Sequence, residues 1–176
     1  PKDIKALRRV AKAHDYDAAL ITAVENVNDR QKFVISNKVV KRFGEDLSGK
    51  VFGIWGLAFK PGTDDMRESP AIYVIKELIK RGARITAYDP KAMEEAKNNY
   101  LKDINEVTYV NSKYKVLENA NALILLTEWK EFRSPDFHEI KSQLVSPVIF
   151  DGRNQYNAFK LDKKGFEYYQ IGKKPI

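Results

Sequence analysis

The sequence predicts an α/β protein in which a doubly wound, mostly parallel sheet follows a long helical segment. From residue 51 onward, short apolar runs rich in β-branched residues alternate with stretches of helical spacing. This alternation is typical of parallel strands joined by helices, a Rossmann-like arrangement with helices on both faces of the sheet. The predicted strands are 51–55, 84–88, 107–110, 122–126 and 148–150, with a candidate edge strand at 167–171. The predicted helices between them are 70–81, 91–100, 112–118 and 135–143.

Residues 1–48 are predicted to form a helical segment distinct from the α/β domain of residues 49–176. A short amphipathic helix covers 2–13, and a second helix runs to Phe43, where Gly44 ends it. With a rise of ~1.5 Å per residue, the second helix would be on the order of 40 Å long. That exceeds the needs of one compact domain, so we expect this helix to bridge two bodies and to form a homodimer.

Composition narrows the classes of function. The 176 residues are 43% hydrophobic, which is enough for a packed core, and contain no apolar run of the ~18 residues that a membrane span needs. The net charge of +7 is spread along the chain without a dense basic tract. We therefore expect no nucleic-acid partner and no membrane partner, whereas a phosphorylated small molecule would suit the charge.

Cysteine is absent from the sequence. This excludes disulfides, thiolate metal sites and a cysteine nucleophile within these residues. The two histidines, His14 and His138, lie outside any metal-like spacing, so no metal site is predicted and both are expected at the surface.

The segment 51–70 reads as a buried strand, a charged loop and the start of a helix. Ser69 is the predicted N-cap and Pro70 the first helical residue. The loop carries Lys60 and Arg67, and in doubly wound sheets the loops after strands are the places where ligands bind. A ligand loop and a solvated surface connection remain about equally good interpretations of this spacing alone. The three-glycine dinucleotide motif is missing, so no dinucleotide site is predicted here.

Other strand ends also carry polar side chains. Asp89 ends the second strand, and we interpret it as an Asp-Pro turn residue in preference to a ligand for a ribose. Thr127-Glu128-Trp129 follows the fourth strand, and Arg153 follows the fifth. Because parallel strands end on one edge, Lys60 and Arg153 are expected to meet there and to neutralise phosphate. The alternative is that Arg153 pairs locally with Asp151 and Lys60 is solvated.

Several segments resemble one known family. The run AFKPGTDDMRESPA, residues 58–71, closely resembles a characteristic loop of the UDP-glucose/GDP-mannose dehydrogenase family, nearest to its UDP-glucose-oxidising branch. LLTEWKEFR, FDGRN and AVENVNDRQKFVISNKV resemble further segments of the family. Pro1-Lys2-Asp3 resembles the end of its catalytic segment, whose cysteine would lie two positions before Pro1. The chain thus looks like the central helix and the C-terminal UDP-binding domain only.

The resemblance implies roles for individual residues. It implies a cytoplasmic homodimer that oxidises the C6 alcohol of UDP-glucose to a carboxylate with two NAD, through a thioester on that cysteine. Phe59, Lys60 and Arg153 would bind the UDP-sugar. Lys2 and Arg67 would contact NAD, and Asp3 would assist the catalytic water or proton steps. Without the cysteine and the NAD-binding domain, these residues alone are expected to be inactive. The alternative is the binding and dimerisation module of a UDP-N-acetylhexosamine or GDP-mannose dehydrogenase.

Overall fold

The computed structural model describes residues 2–175, except for the side chain of Lys2. The chain divides into two compact units, Pro1–Val34 and Ile35–Ile176. This division lies earlier than the predicted boundary at 48/49, because the third helix already buries side chains in the core of the second unit. The functional division into a dimerisation segment and a UDP-sugar-binding domain stays a prediction.

Two helices form the first unit, α1 (Lys2–Ala13) and α2 (Ala19–Gln31). The Arg8 guanidinium pairs with the Glu25 carboxylate and links the two helices. No side chain of α2 is buried, and Val27 exposes 53% of its surface. Helix α2 therefore presents apolar side chains that its own unit does not cover.

The long helix of the prediction is instead two helices. Helix α2 ends at Gln31, and α3 (Val34–Phe43) follows after a short turn. The apolar spacing continues through this turn, so periodicity alone does not reveal the interruption. Helix α3 buries Ile35 and Val39 in the core of the second unit, and this packing fixes where α3 lies. Its predicted end is confirmed, since Gly44 follows with a φ of 95°.

Six parallel strands form one sheet in the second unit, in the order β3-β2-β1-β4-β5-β6. The strands are β1 (Val51–Trp55), β2 (Arg84–Tyr88), β3 (Val107–Tyr109), β4 (Ala122–Leu125), β5 (Val148–Asp151) and β6 (Glu167–Gln170). The order changes direction between β1 and β4, as in a doubly wound sheet. The predicted Rossmann-like fold is therefore confirmed, including the edge strand β6.

Helices and short turns connect these strands. The helices are α4 (Pro70–Lys80), α5 (Met93–Glu95), which continues as a π-helix (Ala96–Tyr100), and α6 (Phe137–Gln143). The 3-10 turns are Tyr114–Leu117, Lys130–Phe132, Asn157–Phe159 and Leu161–Lys164. Strands β4 and β5 are buried throughout, as expected for central strands covered on both faces.

Two of the predicted helices are wrong in type or length. In place of a helix over 91–100, the first residues form a turn, since Lys91 N and Ala92 N each donate to Asp89 Oδ1 at 2.8 Å. In place of a helix over 112–118 there is a 3-10 turn whose Val116 carbonyl lies against β1. A Cβ at Gly53 would be 2.5 Å from that oxygen, so this close approach requires glycine.

The part of the chain that the structure describes has neither a candidate membrane span nor a metal-binding cluster. Its helices all lack the length and apolarity needed to cross a bilayer. Residues 2–175 contain no group of three or more His, Cys, Asp or Glu side chains that could hold a metal ion. His14 and His138 are both exposed, as predicted.

Candidate functional site

The carboxyl ends of β1, β4 and β5 lie side by side where the strand order changes direction. Leu126 N donates to Trp55 O at 2.9 Å, and Gly152 N donates to Leu125 O at 2.9 Å. The loops after these three strands are therefore held next to one another, at the position where doubly wound sheets bind ligands. We call five residues of these loops the strand-end site, which are Phe59, Lys60, Thr127, Glu128 and Arg153.

Arg153 joins the three loops through its guanidinium group. Its Nε donates to Leu126 O at 2.8 Å, and one terminal nitrogen donates to Phe59 O at 3.0 Å. Nε also lies 2.9 Å from Glu128 Oε2 in an ion pair. The Phe59 carbonyl belongs to the peptide bond that leads to Lys60, so the structure brings these two predicted substrate-binding segments together. The Arg153 side chain remains 28% exposed and can still reach a ligand.

The buried Asp151 carboxylate holds the turn that presents Arg153. Its Oδ1 accepts a hydrogen bond from Arg153 N at 2.9 Å, so the local pairing is with the backbone and not with the guanidinium. Its Oδ2 accepts from Tyr156 N at 3.0 Å and from the Tyr168 hydroxyl at 2.7 Å. Burial, and then the negative charge of Asp151, raise the pKa of Tyr168, so the phenol stays protonated and donates. Buried groups thus set the direction of Arg153.

Asp89 at the end of β2 is buried and acts as a structural acid. Its carboxylate accepts hydrogen bonds from five N–H groups, which are Leu57 N (2.7 Å), Ala58 N (3.1 Å), Trp129 Nε1 (2.9 Å), Lys91 N (2.8 Å) and Ala92 N (2.8 Å). Two oxygens with about four acceptor sites are fully used by these donors. The interpretation of Asp89 as a turn residue is confirmed, and the acid has no capacity left for a ribose hydroxyl.

Two buried hydroxyl groups fix the same β1 loop through its carbonyl groups. Ser69 Oγ donates to Leu57 O at 2.7 Å, and Thr127 Oγ1 donates to Ala58 O at 2.6 Å. Ser69 Oγ also accepts from Ala71 N at 3.3 Å, which confirms the predicted N-cap of α4. Both the N–H and the C=O groups of the backbone that leads into the strand-end site are therefore satisfied and immobilised.

Phe59 and Lys60 follow this rigid backbone and are exposed. The Phe59 side chain exposes 39% of its surface although it is large and apolar. Within residues 2–175, the Lys60 ammonium has neither a hydrogen-bond nor an ion-pair partner. The loops after β1 and β5 thus carry an exposed ring and two cations, and a stacking surface together with positive charge suits a phosphorylated ligand with a flat base.

Arg67 lies further along the same loop and is held by Asp65. Its Nε donates to Asp65 Oδ1 at 3.0 Å and one terminal nitrogen donates to Asp65 Oδ2 at 2.7 Å. The Arg67 side chain is 76% exposed. Hydrogen bonds from Arg67 lower the pKa of Asp65 to about 2. The structure therefore places this predicted cofactor-binding residue at the surface, in a preformed fork geometry.

Arg67→Gln is expected to return the pKa of Asp65 from about 2 towards its ordinary value of ~3.9, since the largest cause of the depression is removed. Because the folded pKa lies below the unfolded one, any stability from the pair is complete above pH ~4 and is lost as the pH falls through ~2. The measurement is an NMR titration of the Asp65 carboxyl carbon. Lys60→Gln is the control and should shift it much less, because Lys60 is a minor cause. An unchanged pKa in Arg67→Gln would contradict this assignment.

The two remaining predicted site residues lie at the start of α1. Asp3 is exposed in the first turn of this helix. The side chain of Lys2 lies outside the described residues. The assignment of Asp3 to catalysis and of Lys2 to cofactor binding therefore stays a prediction.

Comparison with known proteins identifies the family. The sequence model described as "UDP-glucose/GDP-mannose dehydrogenase family, UDP binding domain" matches residues 53–158, which include the end of β1, all of β2 to β5 and the strand-end site. The chain belongs to the UDP-glucose/GDP-mannose dehydrogenase family. The matched region is the UDP-binding domain of that family, so the resemblance seen in the sequence is confirmed.

Individual members of the family agree in sequence and structure. The chain is 39% identical over 175 residues to the UDP-glucose 6-dehydrogenase of Pseudomonas aeruginosa and 41% identical over 173 residues to that of Rhizobium meliloti. Each alignment covers 98% of this chain and 39% of the relative, so the chain spans about two fifths of their length. The structure of a UDP-glucose dehydrogenase from Pyrobaculum islandicum superposes with a TM-score of 0.80 at 32% identity, over 97% of this chain and 36% of that one.

Proposed function

We propose that this chain is the UDP-sugar-binding part of a NAD-dependent UDP-glucose dehydrogenase, a cytoplasmic oxidoreductase that forms UDP-glucuronate. The observation that carries the proposal is the hydrogen bond from Arg153 to the Phe59 carbonyl, which joins the loops after β5 and β1. That bond joins the loop that carries Phe59 and Lys60 to the loop that carries Arg153, which supports one shared site. The match of residues 53–158 to a UDP-binding domain supports the same site.

Each member of the site has a proposed task. Lys60 and Arg153 bind the phosphate groups of the sugar nucleotide, Lys60 as a point charge and Arg153 through its fork of N–H groups. Phe59 packs its exposed ring against the UDP moiety. The rigid backbone below them keeps this geometry before the ligand arrives, so little ordering entropy is lost on binding.

NAD does not fit this sheet in the usual dinucleotide position. The acid that would bind its ribose, Asp89, is saturated by five internal donors, and the three-glycine turn after β1 is missing. We propose that Arg67, and with it Lys2, faces NAD held elsewhere in the whole protein, and that Asp3 serves its catalytic steps. These 176 residues contain no cysteine nucleophile. We therefore expect no NAD reduction by this chain alone with UDP-glucose.

Calorimetry with UDP, GDP, UDP-sugars and GDP-sugars tests the proposal. We expect UDP and UDP-glucose to bind with similar affinity and GDP to bind at least ten-fold more weakly. A preference for GDP would contradict the assignment and favour a GDP-mannose dehydrogenase. A preference for UDP-N-acetyl sugars would favour the other alternative. Binding of none of these ligands would overturn the proposed function.

A homodimer through α2 is part of the proposal. Helix α2 buries no side chain, while Leu20, Val24 and Val27 are exposed. In a two-fold symmetric dimer, this apolar patch of each subunit would be covered by the same patch of the other subunit. Val27→Asp is expected to weaken self-association, measured by sedimentation velocity, because it buries a charge in that contact. Asn28→Asp adds the same charge at the neighbouring exposed position and should have a smaller effect. A monomer at micromolar concentration in the unmutated chain would contradict the dimer.

A further inference from the structure

Glu128 is the one acid among the five members of the strand-end site, and the proposed function gives it no task. Its Oε2 is buried and, among residues 2–175, accepts no hydrogen bond. The same oxygen nevertheless lies 2.9 Å from Arg153 Nε. The two observations agree, because the single Nε hydrogen is directed to Leu126 O instead. Glu128 therefore faces Arg153 as a charge and not as a hydrogen-bond acceptor.

The direction of the Arg153 side chain does not depend on Glu128. Two backbone carbonyls, Leu126 O at 2.8 Å and Phe59 O at 3.0 Å, already fix the guanidinium plane. A guanidinium carries five N–H groups, so after these two bonds three remain for other acceptors. The two carbonyl groups therefore orient the Arg153 side chain, and the Glu128 carboxylate lies beside its positive charge.

We propose that Glu128 is a resident anion of the strand-end site, which balances the charge of Arg153 in the empty site and opposes the binding of ligand phosphate. This inference rests on the proposed function. A phosphate that engages the free N–H groups of Arg153 comes within about 5–6 Å of the Glu128 carboxylate. Two like charges at that separation in a partly solvated crevice repel each other measurably. Glu128 therefore lowers the affinity for phosphate-bearing ligands.

This arrangement affects which ligands occupy the site. A small anion such as inorganic phosphate gains only the attraction of the cations, and Glu128 reduces that attraction at Arg153. A sugar nucleotide adds contacts of its base and sugar, for example with the exposed Phe59 ring, and these do not suffer from the negative charge. The counter-charge thus lowers the affinity for both ligands, and only the complete ligand has further contacts that offset this loss.

The test compares UDP binding to the unmutated chain, E128Q and E131Q by calorimetry. E128Q keeps the shape and removes the charge, so UDP affinity is expected to rise about ten-fold. E131Q is the matched control, because Glu131 is exposed three positions further on and lies outside the strand-end site. Its UDP affinity should change less than two-fold. E128A also removes the charge and should shift the affinity in the same direction. Agreement of the two variants would show that the rise comes from the lost charge and not from the new amide group of E128Q.

A rise or a fall of UDP affinity in these variants distinguishes a repelling Glu128 from one that positions Arg153 or binds the ligand. If Glu128 positioned Arg153, or accepted a hydrogen bond from the ligand through its buried oxygen, then E128Q and E128A would bind UDP more weakly. Weaker or unchanged binding in both variants therefore overturns this inference while leaving the proposed function intact. Absence of UDP binding to the unmutated chain and to both variants overturns the proposed function and this inference with it.

Discussion

Replacing Arg153 with alanine is expected to weaken UDP binding by about ten- to one-hundred-fold and to lower the melting temperature. One charged hydrogen bond to a phosphate contributes about 1.5–3 kcal/mol, which sets the loss of affinity. The melting temperature falls because the guanidinium also donates to Leu126 O and Phe59 O. Loss of two such bonds costs about 2 kcal/mol, or roughly 4–8 °C for a chain of this size. The measurements are calorimetry with UDP and thermal unfolding.

The companion variant separates binding from stability. Lys60→Ala should weaken UDP binding about ten-fold or more and leave the melting temperature nearly unchanged, because the exposed ammonium has no partner within residues 2–175. Arg84→Ala and Lys80→Ala are matched controls, because Arg84 is the first residue of β2, Lys80 is the last residue of α4, and both side chains are exposed. Both residues therefore lie towards the amino end of β2, and not at the carboxyl ends that form the strand-end site. UDP affinity that is unchanged in both Arg153→Ala and Lys60→Ala would contradict the shared site.

Asp89→Ala is expected to destabilise the fold by about 3–5 kcal/mol. The substitution leaves four backbone N–H groups and the Trp129 indole N–H without their acceptor in a buried region. Each buried donor without a partner costs about 1–3 kcal/mol, and relaxation around the site reduces the sum. The measurement is urea unfolding followed by tryptophan fluorescence and circular dichroism.

Asp103→Ala is the control for this loss of stability. It removes an acid from an exposed position in the connection between β2 and β3, so its free energy of unfolding should change by less than about 0.5 kcal/mol. Asp89→Asn is informative as well, because it retains one acceptor oxygen and should cost less than alanine. A cost for Asp89→Ala no larger than that of the control would show that the five hydrogen bonds do not stabilise the native state.

The sequence predicts the sheet well because its strands carry a local signal. β1 and β2 have the predicted bounds, since each is a short apolar run that ends at a glycine or an Asp-Pro pair. The helix predicted over 91–100 instead begins at Met93 and continues from Ala96 as a π-helix, and both differences come from local contacts. Asp89 captures the N–H groups that would open it, and Leu101 N donates to Ala96 O at 2.8 Å in a wider turn.

The strand-end site is only partly visible in the sequence. Lys60 and Arg153 can be brought together because parallel strands end on one edge, and the binding role of Phe59 comes from the family resemblance. The guanidinium contact with the Phe59 carbonyl joins positions far apart in the chain, and no local pattern encodes it. The same is true of the Trp129 indole, which donates to Asp89 from another strand end. Glu128 carries no distinguishing spacing, so its place beside Arg153 depends on the folded structure.

Two-dimensional amide NMR of the assigned chain during titration with UDP shows directly where UDP binds. We expect the amides of Phe59, Lys60 and Arg153 to shift together and to saturate with one dissociation constant. Amides near Phe137 on α6 and near Lys80 at the end of α4 should not move. Shifts confined to those other regions, or no shift at millimolar UDP, would contradict a UDP-sugar site at the carboxyl ends of β1, β4 and β5.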